Sequence, residues 1–162
     1  AAKKPTGELT KADLEKVTEL NLRYKQITSV TGLEKLTQLK MLDLGYNKLT
    51  DVKLLEKLTK LERLSLSYNN LTEIPNGLEK LTQLTYLHLG QNHLTDVTGL
   101  EKLTQLEVLN LNINRLTDVK GLEKLTKLPR LVLENNPDLT KAQIRQLQKV
   151  LLKCKINSNP KK

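Results

Sequence analysis

Asp43, Ser65 and His88 carry the three groups used in nucleophilic acyl transfer, and they stand 22 and 23 residues apart. If that interval is one turn of a regular coil, the three side chains fall in one column, with neighbours about 4.8 Å apart. A working triad needs the imidazole between hydroxyl and carboxylate, so that one ring nitrogen takes the serine proton while the acid orients the other. Here Ser65 is in the middle, and Asn110 lies on the far side of His88. No glycine elbow or oxyanion loop accompanies them, so an enzyme is not expected. His88 and His93 lack a convincing third donor for a metal, and no phosphate-cradling loop is present, so no cofactor is expected. Both histidines read as contact residues. The single cysteine, Cys154, excludes an intrachain disulfide and reads as a small apolar residue of the last coil.

The interval that spaces these residues governs the whole chain. Thr95 to Leu116 read TDVTGLEKLTQLEVLNLNINRL, whose second half is Leu106-x-x-Leu109-x-Leu111-x-x-Asn114-x-Leu116. The phrase recurs from Leu39, Leu61 and Leu84. An imperfect copy starts at Val17, with Lys25 in the asparagine's place, and a final one runs from Leu128 to Asn136. This resembles the leucine-rich repeat signature, and the resemblance covers roughly residues 9 to 156. Leu33, Leu36, Leu39 and Leu42 are spaced by three, which on a helix would smear them over half the surface. The following Leu-x-Leu has the period of a strand with one buried face. One repeat is therefore a short strand, a turn and an extended or 3₁₀-like return, and coils must stack to bury their leucines. The asparagine amide can donate to and accept from backbone groups at the turn. Lys25 cannot accept, so the first coil must satisfy its turn otherwise.

The fold expected is α/β: a curved right-handed leucine-rich repeat solenoid, with a parallel sheet on the concave face and short returns on the convex side. Helical caps close both ends. A single domain spans residues 9–162 after a flexible lead-in, 1–8, in which Ala1-Ala2 is either a processed signal remnant or a cloning tail. The N-terminal cap is expected at about 9–16, with Thr10 as N-cap and Asp13 at the positive helix end. Repeats occupy about 17–138. The C-terminal cap, about 139–156, has Thr140 and Gln143 at capping-box spacing and an apolar face of Ile144, Leu147, Val150 and Leu151; a tail, 157–162, follows. Leu54 stands where other returns carry Gly32, Gly99 and Gly121. It is strained if that place needs positive φ, and otherwise adds apolar surface. The third coil holds one extra residue around Pro75, expected to be a structural bulge.

With no Phe or Trp and 38 leucines, the core must be aliphatic. No run of the roughly 18 apolar residues needed to cross a membrane occurs. The net charge of +9 is concentrated at one end: after Leu139 there are seven basic residues and no acid, against 20 basic and 18 acidic residues before. Glu-Lys pairs such as Glu34-Lys35 and Glu101-Lys102 cancel along the returns. Nucleic-acid tracking along the repeats is therefore not expected, although the basic cap offers an alternative of weak polyanion binding.

Aligned coils have nearly identical returns, and variation collects at outward positions of the strand and just beyond it. One column reads Glu19, Met41, Arg63, Tyr86, Val108, Arg130, and the next Asn21, Asp43, Ser65, His88, Asn110, Val132. The column before the asparagine reads Tyr24, Tyr46, Tyr68, Gln91, Ile113, Asn135, and His93 lies in the column after it. All four tyrosines, both histidines and the only methionine lie in these columns. Tyr and Arg anchor interfaces because they both pack and hydrogen-bond. The candidate partner-binding set is Tyr24, Met41, Asp43, Tyr46, Arg63, Ser65, Tyr68, Tyr86, His88, His93, Val108, Asn110 and Ile113. Outward tyrosines also favour strands and pair between coils, so Tyr24, Tyr46 and Tyr68 could form a structural ladder, a binding surface, or both.

The 22-residue coil with LTDVxGLEKLTxL resembles bacterial leucine-rich repeats of internalin type. That resemblance implies a monomer that binds a protein or peptide through the concave face, in a secreted or cell-surface setting, with a cytoplasmic one left open. A repeated framework with a diversified face is also similar to the variable lymphocyte receptors of jawless vertebrates, against which the missing cap cysteines argue. Framework copies this similar arise from recent duplication or from consensus engineering. An engineered or structural scaffold without a ligand is the alternative reading.

Overall fold

The computed structural model describes residues 10–160. Seven three-residue strands form one parallel sheet in sequence order. They are β1 (Glu19–Asn21), β2 (Met41–Asp43), β3 (Arg63–Ser65), β4 (Tyr86–His88), β5 (Val108–Asn110), β6 (Arg130–Val132) and β7 (Lys155–Asn157). Register is set by the leucine at each strand's centre: Leu20, Leu42, Leu64, Leu87, Leu109, Leu131 and Ile156 form one row. From Leu42 to Leu131 these side chains are at most 1 % exposed. A slip by one residue would turn the whole row outward, so the register is strongly held. Five 3₁₀ turns, Leu33–Lys35, Lys53–Lys57, Leu78–Lys80, Leu100–Lys102 and Leu122–Lys124, form the opposite side of the open solenoid. One aliphatic core runs between the two sides from Val17 to Cys154.

The asparagines join coils as well as turns. Asn92 Nδ2 donates to Leu89 O in its own coil and to Leu66 O in the preceding one, both at 3.0 Å. Its Oδ1 accepts from Leu71 N of the preceding coil at 3.1 Å. Asn47, Asn69, Asn114 and Asn136 repeat the pattern, and all five are buried. This answers the question raised by Lys25. Asn47 reaches back to accept from Lys25 N and Ile27 N and to donate to Leu22 O, so the second coil closes the first coil's turn.

Leu54 is not strained. Gly32, Gly77, Gly99 and Gly121 precede their 3₁₀ turns at φ from 92° to 106°, a conformation costly for a side chain. The second coil avoids it by starting its turn earlier, at Lys53, from Val52 at φ −138°, and Leu54 packs against the core. The third coil, despite its extra residue, has the glycine turn at Gly77, with Leu78 N bonding Pro75 O.

The caps differ in detail from expectation. The lead-in 1–8, Leu9, Lys161 and Lys162 lie outside the described residues. The first helix, α1, covers only Lys11–Leu14, because Asp13 closes a capping box on Thr10 and the chain then turns toward β1. Helix α2 spans Lys141–Val150 behind the Thr140–Gln143 box. Leu147 and Leu151 are buried and Ile144 is packed against the core, but Val150 is 46 % exposed because it borders an open hollow beside the helix. The expected tail also begins too early. Lys155–Asn157 pair with β6, so the sheet has seven strands, and this last segment covers the edge.

Candidate functional site

Each strand's two outer residues flank its central leucine, so Met41, Arg63, Tyr86 and Val108 align in one row and Asp43, Ser65, His88 and Asn110 in the next. That register places Ser65 between Asp43 and His88, and their polar contacts run elsewhere. Asp43 Oδ1 accepts from Gly45 N at 2.9 Å, and its Oδ2 meets Arg23 Nη1 at 3.3 Å. Ser65 Oγ lies 3.3 Å from Ser67 Oγ. Asn21 and Asn110 likewise accept from the amide two residues on, so half of this column also stabilises the chain leaving the strand.

Met41, Asp43, Arg63, Ser65, Tyr86 and His88 line one hollow of about 210 Å³ across β2, β3 and β4, with Arg23 at its edge. The Arg63 guanidinium lies over the Tyr86 ring, 4.7 Å from its centroid. Burial pushes His88 below its ordinary pKa, opposed by the Asn112 side chain and the Asp43 charge, so the imidazole is neutral at pH 7. Val108, Asn110, Ile113 and His93 lie outside this hollow. A larger hollow of about 510 Å³ sits far from it, between α2 and the Leu122–Lys124 turn, and holds none of the candidate residues.

Tyr24, Tyr46 and Tyr68 lie past the strands, where the chain turns at φ of 55–56°. Strand preference therefore cannot account for them. They stack as a ladder, with ring centroids 4.3 Å apart for Tyr24–Tyr46 and 3.8 Å for Tyr46–Tyr68. Arg23 lies over the first two rings, at 5.4 and 5.0 Å. Gln91 continues the row by donating to the Tyr68 hydroxyl. The neighbouring Tyr68 hydroxyl, then burial and the Tyr24 hydroxyl, push Tyr46 up to about 12, so it stays a neutral donor. Ile113 occupies the same place at φ 52°, a strained conformation for a β-branched residue. Tyr24 is 63 % exposed and Tyr68 36 %, so the ladder presents its outer edge to solvent.

One column escaped the sequence reading: Gly45, Ser67, Gly90 and Asn112. Alternation along the strand extends to these residues, which is the signal that could have found them. A Cβ on Gly90 would collide with Asn112 Oδ1 and come within 2.9 Å of His88 Nε2, so this glycine makes room for the carboxamide of the next coil. Asn112 Oδ1 is buried here, beside the His88 side chain. Ser67, 2 % exposed, leans toward Gly45 in the same way.

The profile for Leucine Rich repeats (2 copies) matches residues 15–57 and 59–102, just over half of the chain. No curated protein matches. Among solved structures, an internalin (inlF) from Listeria monocytogenes is 28 % identical, with a TM-score of 0.84 over 93 % of this chain and 45 % of that one. A Leptospira interrogans leucine-rich repeat protein is 32 % identical, with a TM-score of 0.82 over 90 % of this chain and 38 % of that one. Internalin C2 from Listeria monocytogenes, 23 % identical, shares the fold, with a TM-score of 0.65 over 93 % of this chain and 84 % of its own. The chain thus spans less than half the length of the first two. The matched repeats and the stacked strands, turns and asparagines agree: this chain belongs to the leucine-rich repeat family.

Proposed function

We propose that the strand face binds a protein or peptide without chemistry, with Tyr46, Tyr68, Tyr86 and His88 at the centre and Met41 and Arg63 beside them. Tyr24, Asp43, Ser65, His93, Val108, Asn110 and Ile113 complete the contact set. Leucine-rich repeat proteins act generally as protein-interaction modules. The carrying observation is that every tyrosine and the only methionine stand outside the aliphatic core, at one end of the strands or on them. Large side chains of this kind supply contact area at low entropic cost.

A partner captured from lysate by the parent chain would be titrated against Tyr46→Ala, Tyr68→Ala, Tyr86→Ala and His88→Ala. Each central variant should lose about 2 kcal/mol or more of binding. Gln105→Ala, on an exposed return, should change it by less than about 0.5 kcal/mol. Tyr86 is the cleanest probe because it stands outside the stacked ladder; melts run alongside correct Tyr46 and Tyr68 for lost stacking. Central variants that bind like the parent, or weaken only in proportion to lost stability, would exclude this face.

A further inference from the structure

The charges around the β2–β4 hollow are unequal, and that selects what can fill it. Resting on the recognition reading above, we propose that the hollow receives an aspartate or glutamate side chain of the partner, whose carboxylate pairs with Arg63. Two guanidiniums and one carboxylate border this space. Asp43 is already engaged through both oxygens, by Gly45 N and by Arg23. Arg23 is thereby neutralised and is also held over two tyrosine rings. Glu62, the acid adjacent to Arg63 in sequence, pairs with Lys40 at 2.9 Å. Arg63 makes no ion pair among the described residues, and its guanidinium lies over the face of Tyr86. A guanidinium held over a ring keeps in-plane N–H donors for a carboxylate. Neutral His88 adds no charge, while Ser65 offers a hydroxyl donor. The surplus is one positive charge, which a single carboxylate cancels. A partner lysine would be repelled, and an apolar side chain would cover Arg63 and leave its donors unpaired.

A random-peptide phage library would be panned on the parent chain and on Arg63→Glu, with Tyr86→Ala used to identify phage bound at the strand face. Peptides from the parent should share an acidic position, and those from Arg63→Glu a basic one. For a synthetic parent-selected peptide, Glu→Gln or Asp→Asn should weaken binding to the parent about tenfold or more, and should have little effect on the Arg63→Gln chain. Arg63→Gln keeps a polar side chain while removing the charge, so it serves even if Arg63→Glu misfolds. Strand-face peptides without an acidic preference, or an acid whose loss weakens both chains equally, overturn this inference and leave the recognition reading standing. A selection with no peptide sensitive to Tyr86→Ala overturns both.

Discussion

Asn92 shows how one side chain can hold two coils. Its amide donates to carbonyls of both coils, and its oxygen accepts from Leu71 N, all within a buried turn. Alanine would leave these backbone groups without partners where water cannot replace them. Asn92→Ala should therefore cost about 1–3 kcal/mol, read as a lower urea midpoint. The comparison variant is Gln105→Ala, exposed and expected to cost less than about 0.5 kcal/mol. Equal midpoints would refute the account. Gln91 and Glu101 look equally neutral in the sequence but are poor controls. Gln91 holds the Tyr68 hydroxyl at a left-handed φ, and Glu101 accepts from Gly99 N at 2.8 Å.

At the scale of the element, the return turns use their glutamates to hold backbone. Glu34, Glu79, Glu101 and Glu123 each accept from the amide of the glycine two residues earlier, at 2.6–2.8 Å. In the second coil, which has no such glycine, Glu56 instead meets Lys80 Nζ at 2.7 Å. Hydrogen bonds from their own amides and from Gly32 or Gly99 hold Glu34 and Glu101 below the ordinary glutamate value, and Lys80 does so for Glu56. A lowered native pKa means that the unfolded chain binds more protons. The stabilisation is present above pH 4.5, the ordinary value, and is lost as pH falls through the lower native ones. Thermal melts from pH 7 to pH 3 at fixed salt (a range of about four units around that value) should show the parent losing Tm more steeply than a Glu34→Gln/Glu101→Gln chain. Identical slopes would show that these carboxylates do not couple to folding.

For the whole molecule, the ends decide solubility because a solenoid exposes its core wherever stacking stops. The last repeat is covered by α2, through Leu147 and Leu151, and by β7 paired along β6. Deleting residues 139–162 would remove both, leaving Leu131 and Leu133 and an open parallel edge. Such a chain should aggregate on size-exclusion chromatography. A truncated monomer with the parent's circular dichroism would mean that the cap is dispensable.

What the sequence determined by itself is whatever depends on spacing along the chain. The inward leucines, the landmark asparagines and the Thr140–Gln143 capping box were legible because each follows from residues a few positions apart, and the coil length because the copies recur at a nearly constant interval. The rows of the candidate face were legible too, since a constant period carries side-chain alternation from coil to coil. The tertiary structure alone decided how those rows are wired. Asn47 serves Lys25, Arg23 engages Asp43, Tyr46 stacks between two tyrosines, and Asn112 occupies the space above Gly90. The seventh strand and the shifted turn around Leu54 belong with them. Apart from that turn, these features join residues about one coil apart. Which atoms meet there depends on the rotamers and backbone path imposed by the stacked neighbours, and no local spacing encodes that.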